Sequence, residues 1–583
     1  MSELGRLSEY DSQSGHCLIP LYLGVTGHRN IREEDKRVLK EEIKKIILEK
    51  KFQCPDTPVK IITPLAEGAD RLAAEAAIEC DVPYIAPLPM PVAEYRKDFV
   101  SSSSNIEFDD LLNKAEYWFE LPVAEGVKLP DLRKPDIRNE QYFRIGQFVA
   151  RHSYLLIALW DGMDNLKKGG TAHIVRLKKT GLPQTLPQLQ QPLNILRTGS
   201  ICHILTPRQD QPVPPDAFSR KMIYPDDRWK NEEIFRNEDR RFLRYINSYN
   251  QDVLSMDNEL LKDRIRSNED RLKVSDDPYI KRIAAFQVTT DTLATRFNSK
   301  RFFALKVLLI LTVLAFLFFQ VYVEFWHKPV MLLLYPLTMG MGALWFLYAN
   351  RRKYEQKHED YRALAEAFRV QYFLACMGNN TNVSDYYLQK YAGDLEWIIY
   401  ALRSTLLIPP VKKSDESKSI EKCRYLNDFW VSDQLEYYRL KSMKHHYHHE
   451  RYRWLGNVLF LSALASAVVL FLFSIAEGRI HFLSEESYEF LHSVLIVCTH
   501  SFLVIAGALL GYNEKRIFEE QSKTFQKMFH LFSHAYTILT NAIESSKPDE
   551  AESIIHELAL ESLMENADWL LLHRSRPMEI PKG

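Results

Sequence analysis

The sequence predicts an α/β domain with a Rossmann-like parallel sheet, followed by an all-α membrane region with four transmembrane helices in two hairpins. Two observations lead to this prediction. Short apolar runs alternate with helix-periodic segments over residues 18–210, an order that is typical of a parallel sheet covered by helices. Farther along, four apolar runs are each long enough to cross a bilayer, which needs about 17–25 residues per helix.

The first strand–turn–helix unit begins close to the amino terminus. An apolar run from Leu18 to Val25 predicts a buried strand. It ends in the sequence GVTGHRN, from Gly24 to Asn30, and apolar residues then recur at helical spacing in Asp35–Lys50. Strand, glycine turn and helix in this order form the repeating unit of doubly wound sheets.

The same order repeats along the chain. Val59–Thr63 predicts a second strand, followed by the sequence LAEGADR and an alanine-rich helix that reaches about Cys80. Arg138–His152 predicts another helix, and the sequence GGTA from Gly169 opens a further one. Additional strands are expected at Pro83–Leu88, Trp118–Leu121, Tyr154–Trp160 and Ile201–Thr206.

The apolar runs of the second half form two pairs. Val307–Val323 and Val330–Ala349 are separated only by a short polar turn, which predicts an antiparallel hairpin, and Leu455–Ile475 and Leu491–Leu510 predict a second one. Ile280–Lys300 leads into the first hairpin without proline or glycine, so we predict one continuous helix. Buried hairpins of a large soluble domain are the alternative, which the presence of two such pairs weakens.

Basic residues flank both hairpins on the same side. Arg296 and Arg301 precede the first hairpin, Arg351 follows it, and Lys515 and Arg516 follow the second. Because basic segments stay in the cytoplasm, we predict a multi-pass protein of the cell inner membrane. Both termini and the α/β domain are then cytoplasmic.

Composition excludes several other classes of protein. The net charge of −1 provides no overall field for nucleic acid, so no nucleic-acid partner is expected. The seven cysteines form no CxxC pair, which favours a reducing compartment. The polar amino terminus has no apolar segment of the kind that signal peptides carry, so none is expected.

Three glycine-containing turns are the candidate functional elements: Gly24–Asn30, Glu67–Arg71 and Gly169–Thr171. Backbone N–H groups at the start of a helix attract anions, and the carboxyl ends of parallel strands meet at one edge of the sheet. We therefore predict a phosphate-binding site there, although each turn alone is equally compatible with a tight connection without a ligand. The predicted ligand-binding residues are Gly24, Thr26, Gly27, His28, Arg29, Glu67, Gly68, Ala69, Asp70, Arg71, Arg96, Asp161, Gly169, Gly170 and Thr171.

No catalytic residue and no metal ligand is assigned. The histidine run between His445 and His449 is interpreted as part of a juxtamembrane helix rather than as a metal site.

The sequences GVTGHR, LAEGADRLAAEAA, ALWDG and GGTA occur in this order between Leu18 and Pro207. They resemble the SLOG branch of Rossmann-like folds, which includes DprA-like proteins, cytokinin-activating phosphoribohydrolases and nucleotide sensors of bacterial conflict systems. The resemblance implies a nucleotide or a nucleotide-derived second messenger as the ligand. The hydrolase signature PGG-x-GT-x-x-E is not intact, because Lys168 replaces its proline and Ile174 its glutamate. This departure favours binding without turnover.

The membrane half is similar to SLATT proteins, a family of two-helix membrane effectors. Four sequences carry the similarity: DTLATRF (Asp291–Phe297), EDYRALAEAFRVQYFL, WVSDQLEYY (Trp430–Tyr438) and ENADWLLLHRSRP (Glu565–Pro577). The resemblance implies a pore-forming or membrane-perturbing effector, a homo-oligomer in contact with lipid, with a nucleotide-synthesising enzyme as a partner.

The predicted division of the chain follows from both resemblances. It comprises a polar tail (1–17), a SLOG-like domain (18–210), a charged helical connector (211–279), a first SLATT-like unit (280–410), a linker (411–425) and a second SLATT-like unit with C-terminal helices (426–583).

The leading functional hypothesis is a membrane effector that senses a nucleotide signal in an antiviral defence system. A membrane-tethered nucleotide-processing enzyme, related to phosphoribohydrolases, is the alternative. A transporter is the weakest candidate, because apart from Pro336 and nearby glycines the spans contain few of the helix-breaking or polar features that transporters use.

Overall fold

The computed structural model describes residues 17–574 except for 100, 125, 165–167, 182–195, 210–211, 228–229, 275–276, 380, 389–392, 408–418 and 481–483. Most of the predicted polar tail, much of the predicted linker and the end of the last SLATT-like sequence therefore lie outside the described residues. The described residues include seven strands: β1 (Leu21–Gly27), β2 (Val59–Ile62), β3 (Tyr84–Leu88), β4 (Tyr117–Glu120), β5 (Leu155–Trp160), β6 (Ile201–Leu205) and β7 (Arg220–Ile223).

The strands form one sheet in the order β4-β3-β2-β1-β5-β6-β7. All pairings among β1 to β6 are parallel, and only β7 runs antiparallel to β6 at the edge. The chain proceeds from β1 outward to β4 and then returns to the other side of β1 with β5. The strand order therefore reverses between β1 and β5, and open α/β sheets bind ligands at such a position. The predicted Rossmann-like parallel sheet is confirmed.

Helices cover both faces of the sheet. The longer helices of this part of the chain are α1 (Glu33–Gln53), α2 (Ala69–Glu79), α3 (Ser102–Lys114), α4 (Pro135–His152) and α5 (Thr171–Thr180), and a single helical turn spans Val92–Tyr95. The strands β1, β2, β3 and β5 are almost entirely buried, as expected for parallel strands covered on both faces. A core cluster includes Tyr22, Ile62, Ile85, Leu156 and Ile174.

The remaining helices, in chain order, are α6 (Glu232–Leu254), α7 (Asn258–Leu272), α8 (Pro278–Glu324), α9 (Pro329–Arg351), α10 (Tyr354–Met377), α11 (Glu396–Thr405), α12 (Ser419–Leu426), α13 (Ser432–Ile480), α14 (Glu485–Arg516), α15 (Phe518–Glu544) and α16 (Pro548–Arg574). The predicted continuity from Ile280 into the first hairpin is confirmed, because α8 is a single helix of 47 residues.

The chain forms two compact units that are not contiguous in sequence. The first comprises the described parts of Met1–Thr290, Ala363–Ser414 and Ala559–Ala567, and the second comprises the rest. Helix α11 thus belongs to the α/β unit although it follows the first hairpin in the chain. Its Tyr400 hydroxyl donates to the carbonyl of Pro20 (3.1 Å) and accepts from the backbone N–H of Tyr22 (2.8 Å). The predicted domain boundaries stay predictions.

The second unit carries most of the apolar surface. Among the described residues, four helical segments are long and apolar enough to cross a membrane, within Pro278–Glu324, Pro329–Met377, Ile420–Ala476 and Glu485–Glu544. The most apolar windows of these segments have mean hydropathies between 1.8 and 2.7, and no more than 17% of any window is buried. Such exposure of large apolar side chains suits a lipid surrounding. A multi-pass membrane protein with four spans is therefore supported.

Candidate ligand site

The first glycine turn lies where β1 and β5 end side by side. The backbone N–H of His28 donates to the carbonyl of Leu159 (3.0 Å), and the backbone N–H of Asp161 donates to Nε2 of His28 (3.0 Å). A Cβ atom on Gly27 would lie 2.4 Å from Cβ of Ala69 and 2.8 Å from the Leu159 carbonyl oxygen. Only glycine permits this close approach of the turn to its neighbours.

The second turn packs directly on the first. The backbone N–H of Ala69 donates to the carbonyl of His28 (3.1 Å). Gly68, which precedes α2, has φ = +79° and ψ = −119°, a conformation reserved for glycine. A Cβ atom at position 68 would lie 2.4 Å from the carbonyl oxygens of both His28 and Arg29. The structure therefore brings the first two predicted turns together.

The third turn lies against α4. Gly169 has φ = +76°, and its backbone N–H donates to Nδ1 of His173 (3.3 Å). The His173 ring stacks on Phe143 of α4 at 4.8 Å. The first turn reaches the same helix, because the guanidinium of Arg29 lies 4.6 Å from the ring centroid of Tyr142. Gly170 and Thr171 then begin α5, so the N-termini of α2 and α5 both open at this edge of the sheet.

The predicted cationic residues differ in their surroundings. Arg29 is exposed, and within the described ranges no carboxylate lies within ion-pair distance of it. Arg96 is also exposed but forms an ion pair with Asp109 (2.5 Å). Arg71 is 3% exposed and pairs with Glu107 (2.5 Å). Of these three, Arg29 is the one that is placed to meet a ligand.

Arg71 and Glu67 are held within the turn by Ser104. Nη1 of Arg71 donates to the Ser104 hydroxyl (2.9 Å), and that hydroxyl donates in turn to the carboxylate of Glu67. The guanidinium of Arg71 also lies over the Phe99 ring at 4.6 Å. Its Nη2 is buried and has no hydrogen-bond partner in the described part of the chain. Because of these contacts, Arg71 and Glu67 mainly stabilise the turn.

Two other predicted residues lie inside the sheet. Gly24 pairs with Ile62 of β2 and Leu156 of β5, and Thr26 pairs with Ala158 of β5. Gly24 is therefore in the middle of β1 and not at the edge with the turns.

Asp161 and His28 contact each other where β1 and β5 end. The side chain of Asp161 is 4% exposed and accepts from Nε of Arg208 at 2.5 Å, while Nε2 of His28 lies 3.6 Å from its Oδ1. Burial lowers the pKa of His28, and the carboxylate of Asp161 raises it in part. Because its Nε2 accepts the backbone N–H of Asp161, a neutral His28 carries its proton on Nδ1 and offers it as a donor.

Three residues at this edge were not predicted from the sequence. Arg208 follows β6. Its position just beyond the end of a predicted strand could have identified it as a candidate. The hydroxyls of Tyr95 and Tyr142 are buried and have no hydrogen-bond partner among the described residues. Their rings lie 6.3 Å apart. No sequence pattern distinguishes these tyrosines from ordinary core residues.

Asp70, at the start of α2, has a shifted pKa that makes the stability of the folded protein depend on pH. Burial raises its pKa to about 7, against the lowering effects of the Ala66 N–H, Arg29 and Arg71. The folded protein therefore holds a proton that the unfolded chain releases near pH 4. This contribution to stability is fully present below about pH 4 and is lost as the pH rises through 7.

Asp70→Asn is therefore expected to flatten the pH dependence of stability between pH 4 and 7. The wild type should lose up to ~1.4 kcal/mol per pH unit relative to the variant over this interval. Urea unfolding of the detergent-solubilised protein at several pH values measures the difference. Asp110→Asn, an exposed change on α3, is the control and should follow the wild-type curve. Parallel curves for wild type and Asp70→Asn would contradict the assignment.

Compared with known proteins, the chain matches no protein family, no curated sequence and no solved structure.

Proposed function

We propose that the protein is a membrane effector that senses a nucleotide-derived signal, in a bacterial anti-phage or conflict system. Ligand binding to the α/β unit would trigger oligomerisation, pore formation or membrane disruption by the spans. One observation carries the proposal: two glycine turns and the unpaired Arg29 meet beside the β1–β5 reversal, in a chain that also has four candidate membrane spans.

The chemistry of the edge suits a phosphorylated ligand. The N-termini of α2 and α5 supply backbone N–H groups and the positive ends of helix dipoles. Arg29 supplies a planar guanidinium that can bind two phosphate oxygens at once. The buried hydroxyls of Tyr95 and Tyr142 are further polar groups for the rest of a nucleotide.

The continuous helix α8 supports transmission of the signal. It runs from Pro278 to Glu324 without a break, from the charged connector into the first apolar segment. A flexible linker would dissipate a displacement, whereas a continuous helix conveys it. A ligand can shift such an equilibrium only by the difference between its affinities for the two states.

Arg29→Ala is expected to weaken nucleotide binding by about tenfold to a hundredfold, because a hydrogen-bonded charge at a phosphate is lost. Arg37→Ala removes an equivalent exposed charge from α1 and should bind as the wild type does. Equilibrium dialysis of the intact protein with a panel of labelled mono-, di- and cyclic nucleotides measures binding. Equal affinity of the Arg29 and Arg37 variants would remove Arg29 from the site.

Leakage of a dye from proteoliposomes tests the effector step. Nucleotides that bind should increase leakage from wild-type vesicles, and Arg29→Ala should require a correspondingly higher concentration. If no nucleotide binds and none causes leakage, the proposal fails.

The alternative, a nucleotide-processing enzyme, is distinguished by its products. In the sequence, Ile174 stands where the resemblance would put the glutamate of the hydrolase signature. Its side chain is 1% exposed and packs on Gly146. We therefore propose binding without turnover. Release of a free base from a bound nucleotide, detected by chromatography and abolished by Asp161→Ala, would favour the enzyme instead.

A further inference from the structure

A cavity lies at the edge of the sheet opposite the candidate ligand site. Its volume is about 150 Å³. The wall is formed by the segment that leads into β6, by α6 and by α11. Because the predicted nucleotide site lies at the carboxyl ends of the strands, this cavity at their amino ends is a separate place in the fold.

Arg403, on α11, is the principal cation of the wall. It is 9% exposed, and burial lowers its pKa to about 9. Nη1 donates to the carbonyl of Arg151 (3.5 Å), and Nη2 lies 4.0 Å from Oδ1 of Asp385. That carboxylate already pairs with Arg151. Nε of Arg403 is buried and finds no acceptor in the described ranges of the chain. A buried guanidinium N–H without an acceptor is costly, unless a ligand supplies one.

Lys178, at the end of α5, is the second cation. It is 4% exposed, and its Nζ donates to the carbonyls of Ala150 (2.7 Å) and Ser153 (2.8 Å). Burial, and then the positive charge of Arg403, lower the pKa of Lys178 to about 7. Within the described residues no carboxylate lies within ion-pair distance of its Nζ. Two carbonyls orient this amine without neutralising it, and a third donor position remains.

The carboxylates of the wall offset these two cations only in part, because Glu396 and Asp239 raise the pKa of Lys178 less than burial and Arg403 lower it. Glu238 pairs with Lys230 (3.0 Å), and Asp394 pairs with Arg241. Asp239 accepts from the hydroxyl of Ser200 at 3.4 Å. Burial raises the pKa of Asp239 to about 6 and raises that of Glu396 as well.

The size of the cavity restricts the ligand. Pockets for drug-sized molecules measure about 300–1,000 Å³, whereas a water molecule takes about 30 Å³ of the liquid. A cavity of about 150 Å³ is therefore too small for a nucleotide and large enough for one tetrahedral oxyanion. We propose that this cavity binds a single phosphate-type oxyanion between Arg403 and Lys178.

The bound anion would connect parts of the chain that are distant in sequence. Lys178 belongs to the α/β sequence, whereas Arg403 is on α11, which follows the first membrane hairpin in the chain. An anion in the cavity accepts from both and so stabilises α11 on the sheet. The bound anion thus adds stability to the packing of α11 on the sheet, which is otherwise maintained by contacts such as those of Tyr400.

Equilibrium dialysis of the full chain in detergent, with radiolabelled inorganic phosphate at constant ionic strength, tests the proposal. We expect saturable binding, and a loss of at least about tenfold in affinity for Arg403→Gln and Lys178→Gln. Arg176→Gln is the matched control, because Arg176 lies on the same helix as Lys178 but is exposed and paired with Asp164. Arg29→Ala should also keep this binding, which separates the cavity from the nucleotide site.

Two results would overturn the proposal. One is the absence of saturable phosphate binding to the wild type, a measurement that does not depend on the folding of any variant. The other is wild-type affinity in both Arg403→Gln and Lys178→Gln. Nucleotide binding of each variant, measured in the same preparations, shows that the α/β unit is folded. A phosphate-dependent rise in melting temperature that disappears in Arg403→Gln but not in Arg176→Gln would support it.

Discussion

Gly68→Ala is expected to lower the free energy of unfolding by about 3 kcal/mol or more and to abolish ligand binding. The backbone at position 68 has a conformation that costs other residues about 1–3 kcal/mol. The added Cβ would in addition lie 2.4 Å from two carbonyl oxygens of the first turn. Both turns would have to separate, which displaces His28 and Arg29. Urea unfolding and nucleotide dialysis of the intact protein measure the two effects.

Gly126→Ala is a matched control for this substitution. Gly126 has the same φ of +79°, but a Cβ at this position would meet no heavy atom within 4 Å. Its replacement is expected to cost only about 1–2 kcal/mol of backbone strain and to leave ligand binding intact. If both variants lose the same stability, the close approach of the two turns is not the reason why position 68 requires glycine.

The second large effect is expected for Lys60→Met, at about 3–5 kcal/mol. Lys60 of β2 is 4% exposed, and its Nζ lies 2.8 Å and 2.9 Å from the two carboxylate oxygens of Glu116. Removing the amine leaves a buried carboxylate without its principal partner, and a buried uncompensated charge is strongly destabilising. Urea unfolding in detergent provides the measurement.

An exposed ion pair supplies the comparison. Lys114 pairs with Asp110 at 2.6 Å, and both side chains are more than half exposed. Lys114→Met is expected to change stability by no more than about 0.5 kcal/mol. The double variant Lys60→Met/Glu116→Leu should recover much of the loss, because neither charge then remains in the interior. Equal losses in the single and double variants would contradict this account.

The parallel sheet could be predicted because its strands are short, apolar and separated by glycine turns and helices. β7 could not, because Arg220–Ile223 is a short edge strand with two exposed basic residues and no alternation of apolar positions. The packing of residues that are distant in the chain could not be predicted from the sequence either. Nothing in the sequence near Tyr400 or Arg403 indicates that α11 belongs to a sheet that begins almost 380 residues earlier.

The meeting of the glycine turns at one edge of the sheet could be predicted from the sequence, because the carboxyl ends of parallel strands lie together. The surroundings of the individual side chains could not. The sequence could not show that Arg71 forms an ion pair with Glu107 and a hydrogen bond with Ser104. Nor could it show that Arg96 pairs with Asp109 or that Gly24 lies within β1. Each of these outcomes depends on a partner that is distant in the chain or on strand register, which a local pattern does not specify.

The return of α11 to the sheet means that the α/β unit cannot be completed until the chain beyond the first hairpin has been synthesised. The backbone N–H of Tyr22, on the central strand β1, obtains the hydroxyl of Tyr400 as its acceptor only after the first hairpin has left the ribosome. Asn566, which donates to the carbonyl of Ala363 (2.9 Å), completes the same unit after the second hairpin. The α/β unit therefore completes its long-range contacts only after both hairpins have been synthesised.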